Sequence, residues 1–318
     1  MSTLKVGTRG SALALAQTTA LAERFAGEIE IVEITTKGDT DRSSLSQLGG
    51  TGVFVSALRD ALLAGEVDLI VHSFKDLPTG PAQGIALAAV PERADARDAL
   101  ATRDGVTLAG LAPGARVGTG SPRRRAQLLA ARPDLEVVGI RGNVDSRLGR
   151  LYDADDDRRV DGLVLAAAGL ERIGRLGEAS ELLDLDSWPT APAQGALALE
   201  IREDAASALV ERIAAVDHRP TRLTATAERG VLARLEAGCS APIAAHATIK
   251  GRAEGDVLTL TATVYAPDGT SELTVSDTES LDEGTGDSGG RALDLADRVA
   301  AALLDRGAAR LAPLGGTR

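Results

Sequence analysis

The chain has 318 residues, enough for two or three domains, and 44% of them are hydrophobic, enough to fill real cores. Its single cysteine, Cys239, excludes an internal disulfide framework, and with only His72, His218 and His246 beside it no zinc cluster can be built, so no metal is expected. A net charge of −11 and 2% aromatic residues argue against nucleic acid as a partner. Met1 to Val6 lacks the regions of a signal peptide, and no apolar run approaches the roughly 20 residues that span a bilayer. The expectation is a soluble cytoplasmic protein with no membrane partner. Residues 121–150 nevertheless hold seven arginines against three acids, an excess of +4 that suggests a small anionic ligand.

Leu4 to Val6 reads as a short buried strand and Gly7-Thr8-Arg9-Gly10-Ser11 as a turn. A helix follows with Leu13, Ala16, Ala20 and Leu21 on its apolar face. Ser11 is its cap, and a strand, a glycine turn and a helix start together also point N–H groups at an anion, with Arg9 alongside. Ile29 to Thr35 alternates as a strand. Lys37 to Gly52, 16 aperiodic residues rich in Gly, Ser, Thr and Asp, has the length of a lid. A helix is predicted from Val53 to about Ala64 and a strand over Asp68 to Ser73, running into Phe74-Lys75-Asp76-Leu77-Pro78. Ligands of open α/β sheets collect at the carboxyl ends of strands, where Lys75 and Asp76 stand. A solvated turn is the plainer account of that pair, and His72 reads as a core histidine. Ile85 to Val90 is a strand, and Pro91 to Asp98 is a charged crossing between domains.

A second α/β set begins at Ala99. Arg116-Val117-Gly118 leads into Thr119-Gly120-Ser121-Pro122-Arg123-Arg124-Arg125 and a helix to Ala131, with Ser121 as cap and Pro122 at the first helical position. Three arginines on a first turn oppose the helix dipole, so either a bound anion compensates them or they form a solvated basic face. Glu136 to Ile140 is a strand ending in Arg141-Gly142-Asn143-Val144-Asp145-Ser146-Arg147. Tyr152 to Arg159 is an exposed acidic turn, and Gly162 to Ala168 is a buried strand that delivers Arg172. Trp188 to Gly195 breaks periodicity before a strand over Ala196 to Ile201 and reads as the return crossing, in which Gln194 either contacts ligand or satisfies loop backbone.

From Asp217 the pattern is α+β. A helix runs from about Pro220 to Leu235, and strands lie near Ile243 to Ile249, Val257 to Tyr265 and Glu272 to Ser276, with a hairpin turn over Ala266 to Thr270. An acidic loop over Asp277 to Gly290 precedes a helix with Leu293, Ala296, Ala300, Leu303 and Leu304 on one face. The expected boundaries are 1–94 with 195–215 for a discontinuous first α/β domain, 95–194 for a second α/β domain bearing the arginines, and 216–318 for a smaller α+β domain. Cys239 lies just past a helix end and before Pro242. It is either a small buried hydrophobe or a reachable thiol on a turn, and the second reading makes it a covalent anchor.

Five stretches in one order carry a resemblance. Thr8-Arg9-Gly10-Ser11, Val71-His72-Ser73-Phe74-Lys75-Asp76-Leu77-Pro78, Val117-Gly118-Thr119-Gly120-Ser121-Pro122-Arg123-Arg124, Arg141-Gly142-Asn143-Val144 and Leu235-Glu236-Ala237-Gly238-Cys239 resemble the porphobilinogen deaminase (hydroxymethylbilane synthase) family. The resemblance implies two domains like those of periplasmic binding proteins and a third that carries a dipyrromethane cofactor, joined by a thioether to Cys239. It implies a transferase of tetrapyrrole biosynthesis, which joins four porphobilinogen molecules head to tail with loss of ammonia and releases linear hydroxymethylbilane by hydrolysis; separately, nothing in the sequence suggests an extended apolar interface, so a monomer is expected. Asp76 then matches the catalytic carboxylate that stabilises positive charge as ammonia leaves. Lys75, Thr119, Ser121, Arg123, Arg124, Arg141 and Asn143 match cofactor-binding positions, and Arg9, Ser11, Phe54, Arg147, Arg172 and Gln194 substrate-binding ones. Guanidinium forks suit the two carboxylates of each pyrrole better than lysine does.

Thr51, Phe74, Gly120 and Pro122 depart from the residues commoner in that family, and Arg125 lies outside the matched pair. Two rival readings are a carboxylate-binding two-lobed sensor or carrier without chemistry, and a thiol transferase using Cys239 with His218 or His246.

Overall fold

The computed structural model describes residues 3–35, 52–155, 157–237, 241–252, 255–281 and 288–314. Cys239 and Lys37 to Thr51 of the expected lid, together with the Phe54 side chain, lie outside the described residues. The chain divides into two compact units, residues 1–94 with 196–223 and residues 95–195 with 224–318.

The first unit contains β1 (Leu4–Arg9), α1 (Ala12–Ala22), β2 (Ile29–Ile34), α2 (Gly52–Leu63), β3 (Leu69–Ser73), β4 (Ile85–Ala89) and, on the return of the chain, β10 (Leu197–Arg202). They form one sheet in the order β2-β1-β3-β10-β4, parallel from β2 to β3, with β10 antiparallel to both its neighbours. Leu69 to Val71 of the central strand β3 are apolar on both faces because both faces are covered there. Leu69 and Val71 pack with Leu4, Val6, Leu21 and Leu199 on one side, while Val67 and Ile70 pack with Leu58 and Leu62 of α2 on the other.

Two details differ from the sequence reading. β1 continues through Gly7 and Thr8 to Arg9, so these residues are strand and not turn. The buried face of α1 is Ala14, Gln17, Thr18, Leu21 and Ala22, turned away from the predicted Leu13, Ala16 and Ala20. Polar pairing accounts for the rotation: the Thr18 hydroxyl donates to Thr8 Oγ1 at 2.8 Å, and Thr8 in turn donates to the Ala14 carbonyl at 3.3 Å. Hydropathy periodicity does not register such a pair.

The second unit opens with β5 (Asp98–Thr102), β6 (Arg116–Thr119), α3 (Pro122–Ala131), β7 (Glu136–Gly139), α4 (Val144–Leu148), β8 (Gly162–Ala166), α5 (Ala167–Arg172) and β9 (Glu181–Leu182). Its sheet, β7-β6-β8-β5-β9, repeats the strand senses of the first: β6 is parallel to β7 and β8, and β5 is antiparallel to β8 and β9. Ala99, Ala101, Leu163 and Leu165 serve one core layer, and Leu100 and Val164 the other. The strand predicted to reach Ala168 stops at Ala166. Arg172 therefore closes a short helix, and the two-residue β9 was not predicted.

The remainder is a three-stranded antiparallel sheet of β11 (Ile243–Arg252), β12 (Gly255–Tyr265) and β13 (Glu272–Ser280), with α8 (Ser288–Asp305) on one face. The first unit adds α6 (Ser207–Ala214), and α7 (Arg219–Arg234) leads from there into this part. β13 runs on to Ser280, so the first residues of the predicted acidic loop are strand. The core face of α8 is Ala292, Leu295, Ala296, Val299, Ala300 and Leu303, whereas Leu293 and Leu304 are 50% and 40% exposed. Small residues set that face: a Cβ built on Gly230 of α7 would stand 2.6 Å from Ala296 Cβ, so the two helices meet where only glycine fits.

Between β12 and β13 the hairpin tip rests on α3, in the same unit. Gly269 has φ 74°, and a Cβ there would stand 2.6 Å from the Ala126 carbonyl oxygen and 2.7 Å from the Ala130 nitrogen. Backbone cannot yield as a side-chain end does. Gly269→Ala is expected to cost about 2–4 kcal/mol, combining left-handed strain with overpacking, and a lowered thermal midpoint of the purified protein reads it.

Candidate active site

In the first unit the carboxyl ends of two adjacent parallel strands converge. β1 ends at Arg9 and β3 ends at Ser73, and their register pairs Val6 with Leu69 and Gly7 with Ile70. Beyond Ser73 the chain makes one 3₁₀ turn, Phe74–Asp76, anchored by the Phe74 N–H to the Ala196 carbonyl at 3.0 Å. Buried Phe74 fixes this turn and leaves Lys75 and Asp76 half-buried. Ser11 caps α1, its hydroxyl oxygen accepting the Ala14 N–H at 3.2 Å. Arg9, Ser11, Gln17, Ser73 and Asp76 line one cleft, open to solvent, together with Ala14, Val55 and Val71. Three of the residues predicted for the site, Arg9, Ser11 and Asp76, are thus brought together there.

His72 lines the same cleft, while its Nε2 stands 3.2 Å from Glu200 Oε2, a close approach lying off the axis of a hydrogen bond. Arg59 Nε donates to the same oxygen at 2.9 Å. Burial would raise the Glu200 carboxyl, but His72 and Arg59 outweigh it and hold it down to about 2. A folded value below the unfolded one of 4.5 means that this stabilisation is complete above about 4.5 and is lost as pH falls toward about 2. It amounts to something on the order of 3 kcal/mol. The thermal midpoint of the natural chain should exceed that of Glu200→Gln at pH 7, with the gap closing below about pH 4.5.

The second unit presents a matching set at the ends of β6, β7 and β8. Ser121 caps α3 by accepting the Arg124 N–H at 3.4 Å, with Pro122 at the first position. Thr119 Oγ1 accepts the Ser121 N–H at 3.2 Å. A Cβ on Gly120 would lie 2.8 Å from the Ile140 carbonyl oxygen, which explains glycine at this departure from the family pattern. Asn143 caps α4 through the Ser146 N–H at 2.8 Å, and Arg147 Nε donates to the Gly142 carbonyl at 2.8 Å. Arg141 and Asn143 are exposed and Arg147 half-buried. Arg172 donates to the Gly195 carbonyl at 2.6 Å, and burial lowers the affinity of its guanidinium for its proton. Arg125 is held by the Val137 carbonyl at 2.6 Å, more than a solvated charge.

Arg123 and Arg124 point inward, at a residue the sequence reading passed over. Asp98, 0% exposed at the start of β5, accepts from Arg123 Nη2 at 2.9 Å, Arg124 Nη2 at 2.6 Å, Gln194 Nε2 at 2.8 Å and Trp188 Nε1 at 3.0 Å. Burial alone would raise its carboxyl. The two guanidiniums overcome that and hold it below the usual carboxylate range. The anion required to offset arginines on the first turn of α3 is therefore, in the first place, the protein's own. The available signal was an acid opening an otherwise apolar strand, Asp98-Ala99-Leu100-Ala101. Arg123 Nε is buried with no hydrogen-bond acceptor in the described structure.

Of the histidines in the rival thiol reading, His218 Nδ1 is 2.8 Å from Thr221 Oγ1 and His246 Nδ1 is 3.5 Å from Glu228 Oε1, while Cys239 lies outside the described residues. Among the described residues no helix is long and apolar enough to cross a membrane.

Residues 4–210 match the family description "Porphobilinogen deaminase, dipyromethane cofactor binding domain", and residues 222–305 match "Porphobilinogen deaminase, C-terminal domain". The chain belongs to the porphobilinogen deaminase family. It is 55% identical to the porphobilinogen deaminase of Leifsonia xyli subsp. xyli over 99% of this chain and 96% of that one. Identity with the porphobilinogen deaminase of Thermobifida fusca is 52%, over 88% and 86% of the two chains, and with that of Corynebacterium efficiens 48%, over 97% and 99%. Among solved structures, a nutrient binding protein from Burkholderia cenocepacia bound to methionine aligns with 66% of this chain and 89% of its own at 15% identity and a TM-score of 0.40.

As in other porphobilinogen deaminases, residues 4–210 form the dipyrromethane cofactor binding domain. A dipyrromethane bears acidic side chains, and the donors present fit it. Ser121, Arg141 and Asn143 follow the ends of β6 and β7, Arg147 lies in α4 and Arg172 closes α5, and Arg123 Nε is a buried donor without an acceptor among the described residues.

Proposed function

We propose that the chain is a hydroxymethylbilane synthase. It joins four porphobilinogen molecules head to tail on a dipyrromethane held through a thioether by Cys239, and frees the linear tetrapyrrole by hydrolysis. The observation that carries this reading is the cleft that sets the Asp76 carboxylate beside Arg9 and Ser11 at the ends of two neighbouring strands. When bound, the dipyrromethane supplies the pyrrole position from which the chain grows.

Asp76 faces the positive charge that develops as the substrate's ammonia departs. In a half-buried cleft a carboxylate stabilises that charge more strongly than in water, and it accepts pyrrole N–H groups at the same time. Arg9 offers its fork to a porphobilinogen carboxylate. Ser11, whose oxygen accepts the cap bond, keeps its O–H to donate to that carboxylate. In the second unit Arg141, Arg147, Arg172, Asn143, Ser121 and Thr119 are assigned to the acidic side chains of cofactor and growing product, with Lys75 and Phe54 contributing from the first, whereas the buried Gln194 spends its amide hydrogens on Ala96 and Asp98 and serves the loop. Arg123 joins them through Nε, which has no acceptor among the described residues, and Arg124 is assigned with it although its donors already meet Asp98, Val164 and Gln194.

The reading includes three domains with the boundaries expected from sequence and a monomer working in the cytoplasm. The two matched family regions and the three sheets support the domains. Intact mass spectrometry of the purified protein tests the core of the proposal. A dipyrromethane adduct is expected on the natural chain and none on Cys239→Ser, and an active preparation at the bare-chain mass refutes the anchor.

A further inference from the structure

Among the described residues only two that are not glycine hold positive φ, Ala193 at 61° and Glu236 at 50°. Alanine gains nothing from the left-handed region, so a bend of this kind persists only where its surroundings fix it, and such bends concentrate at working sites. Ala193 lies in the return crossing and is followed by Gln194 and by Gly195, whose φ is 88°. The two left-handed residues turn Gln194 inward. Its Nε2 donates to the Ala96 carbonyl at 2.8 Å and to Asp98 at 2.8 Å, and its Oε1 accepts from Arg124 at 3.3 Å. They also turn the Gly195 carbonyl onto Arg172 at 2.6 Å.

Glu228 of α7 fixes that bend. It is 0% exposed; Oε2 accepts the Ala193 N–H at 2.6 Å, and Oε1 accepts the Ala247 N–H of β11 at 2.8 Å. Each oxygen takes a backbone donor from a different segment. We infer that Glu228 is a positioning residue for the reaction: its buried carboxylate holds the Ala193–Gly195 bend, and through the bend it sets Gln194 against Asp98 and Arg124 and aims Arg172 at the acidic groups it binds. The carboxylate touches no reacting atom. It ties the segment that carries Gln194 and meets Arg172 to α7 and β11, the elements before and after Cys239 in the chain.

The test compares Glu228→Gln with the double variant Glu228→Gln, Ala193→Gly in the full-length holoenzyme. An amide accepts through one oxygen only, so one of the two backbone donors loses its acceptor. Amide hydrogen exchange across residues 190–196 should speed at least tenfold in Glu228→Gln, with KM for porphobilinogen rising about tenfold and kcat within threefold of the natural enzyme. Glycine adopts φ near 61° without strain, so the double variant should recover most of both effects.

A role in stability alone predicts a lowered thermal midpoint with exchange and KM unmoved, and that result overturns the inference, as does failure of Ala193→Gly to restore either quantity. Should Glu228→Gln not fold, Ala193→Val loads the same bend from the other side, because a β-branched residue resists positive φ. It should reproduce the exchange and the KM change, and natural values for both overturn the inference. The kinetic arm rests on the function proposed above. The exchange arm does not, so the two failures are told apart.

Discussion

Asp98→Asn is expected to lower the stability of the second unit by about 3–5 kcal/mol, the cost of leaving buried charge without its partner. The carboxylate is the meeting point of Arg123, Arg124, Gln194 and Trp188, and it is wholly buried. An amide keeps the shape but strands two guanidiniums and turns an NH₂ toward donors. Urea unfolding followed by tryptophan fluorescence reads the loss directly, because Trp188 is the only tryptophan and itself donates to Asp98. The triple replacement Asp98→Leu, Arg123→Met, Arg124→Met should recover much of that stability, since apolar groups of similar volume serve as well as a buried ion triad. It should also abolish turnover. An Asp98→Asn transition at the natural urea midpoint would show that solvent reaches the arginines.

Asp76→Asn should leave the fold intact and reduce kcat by roughly 10²–10⁴, the range for loss of a positioned carboxylate that carries charge and protons. The side chain is half-buried at the mouth of a cleft, so the amide meets no packing conflict. KM for porphobilinogen should move by less than about tenfold, because Arg9 and Ser11 still hold the substrate's carboxylate. A matched Arg9→Met variant should show the opposite split, a raised KM with a smaller change in kcat. Equal loss from both variants in KM alone would assign Asp76 to binding and leave the charge-stabilising group elsewhere.

Much of this arrangement was legible in the sequence, for identifiable reasons. Ser11 and Ser121 announce their helices because a cap is a local event, settled within four residues. The apolar runs Leu69 to Val71 and Leu163 to Leu165 announce buried strands because both faces of each sheet are covered. Asp76 was placed at a strand's end by the same local logic. What escaped was non-local or compensated. Asp98 meets Arg124 across 26 positions and Trp188 across 90, and no window of residues reveals such a pair. Leu293 and Leu304 were assigned to the core of α8, yet alanines and Gly230 set that face, since close approach of helices favours small side chains over large apolar ones. The dipyrromethane expected on Cys239 and the role of Asp76 beside the pyrroles came from the motifs' resemblance and not from any periodicity.

The return strand β10 lies between β3 and β4, the middle of the first sheet's antiparallel half. During synthesis the opening ninety-odd residues therefore leave the ribosome with a slot in their sheet that only Leu197–Arg202 fills. The segment threaded between them is complete sooner and is free to collapse first. Nascent chains halted near residue 190 should accordingly bind chaperones through the early strands, and release should follow within a few dozen further codons.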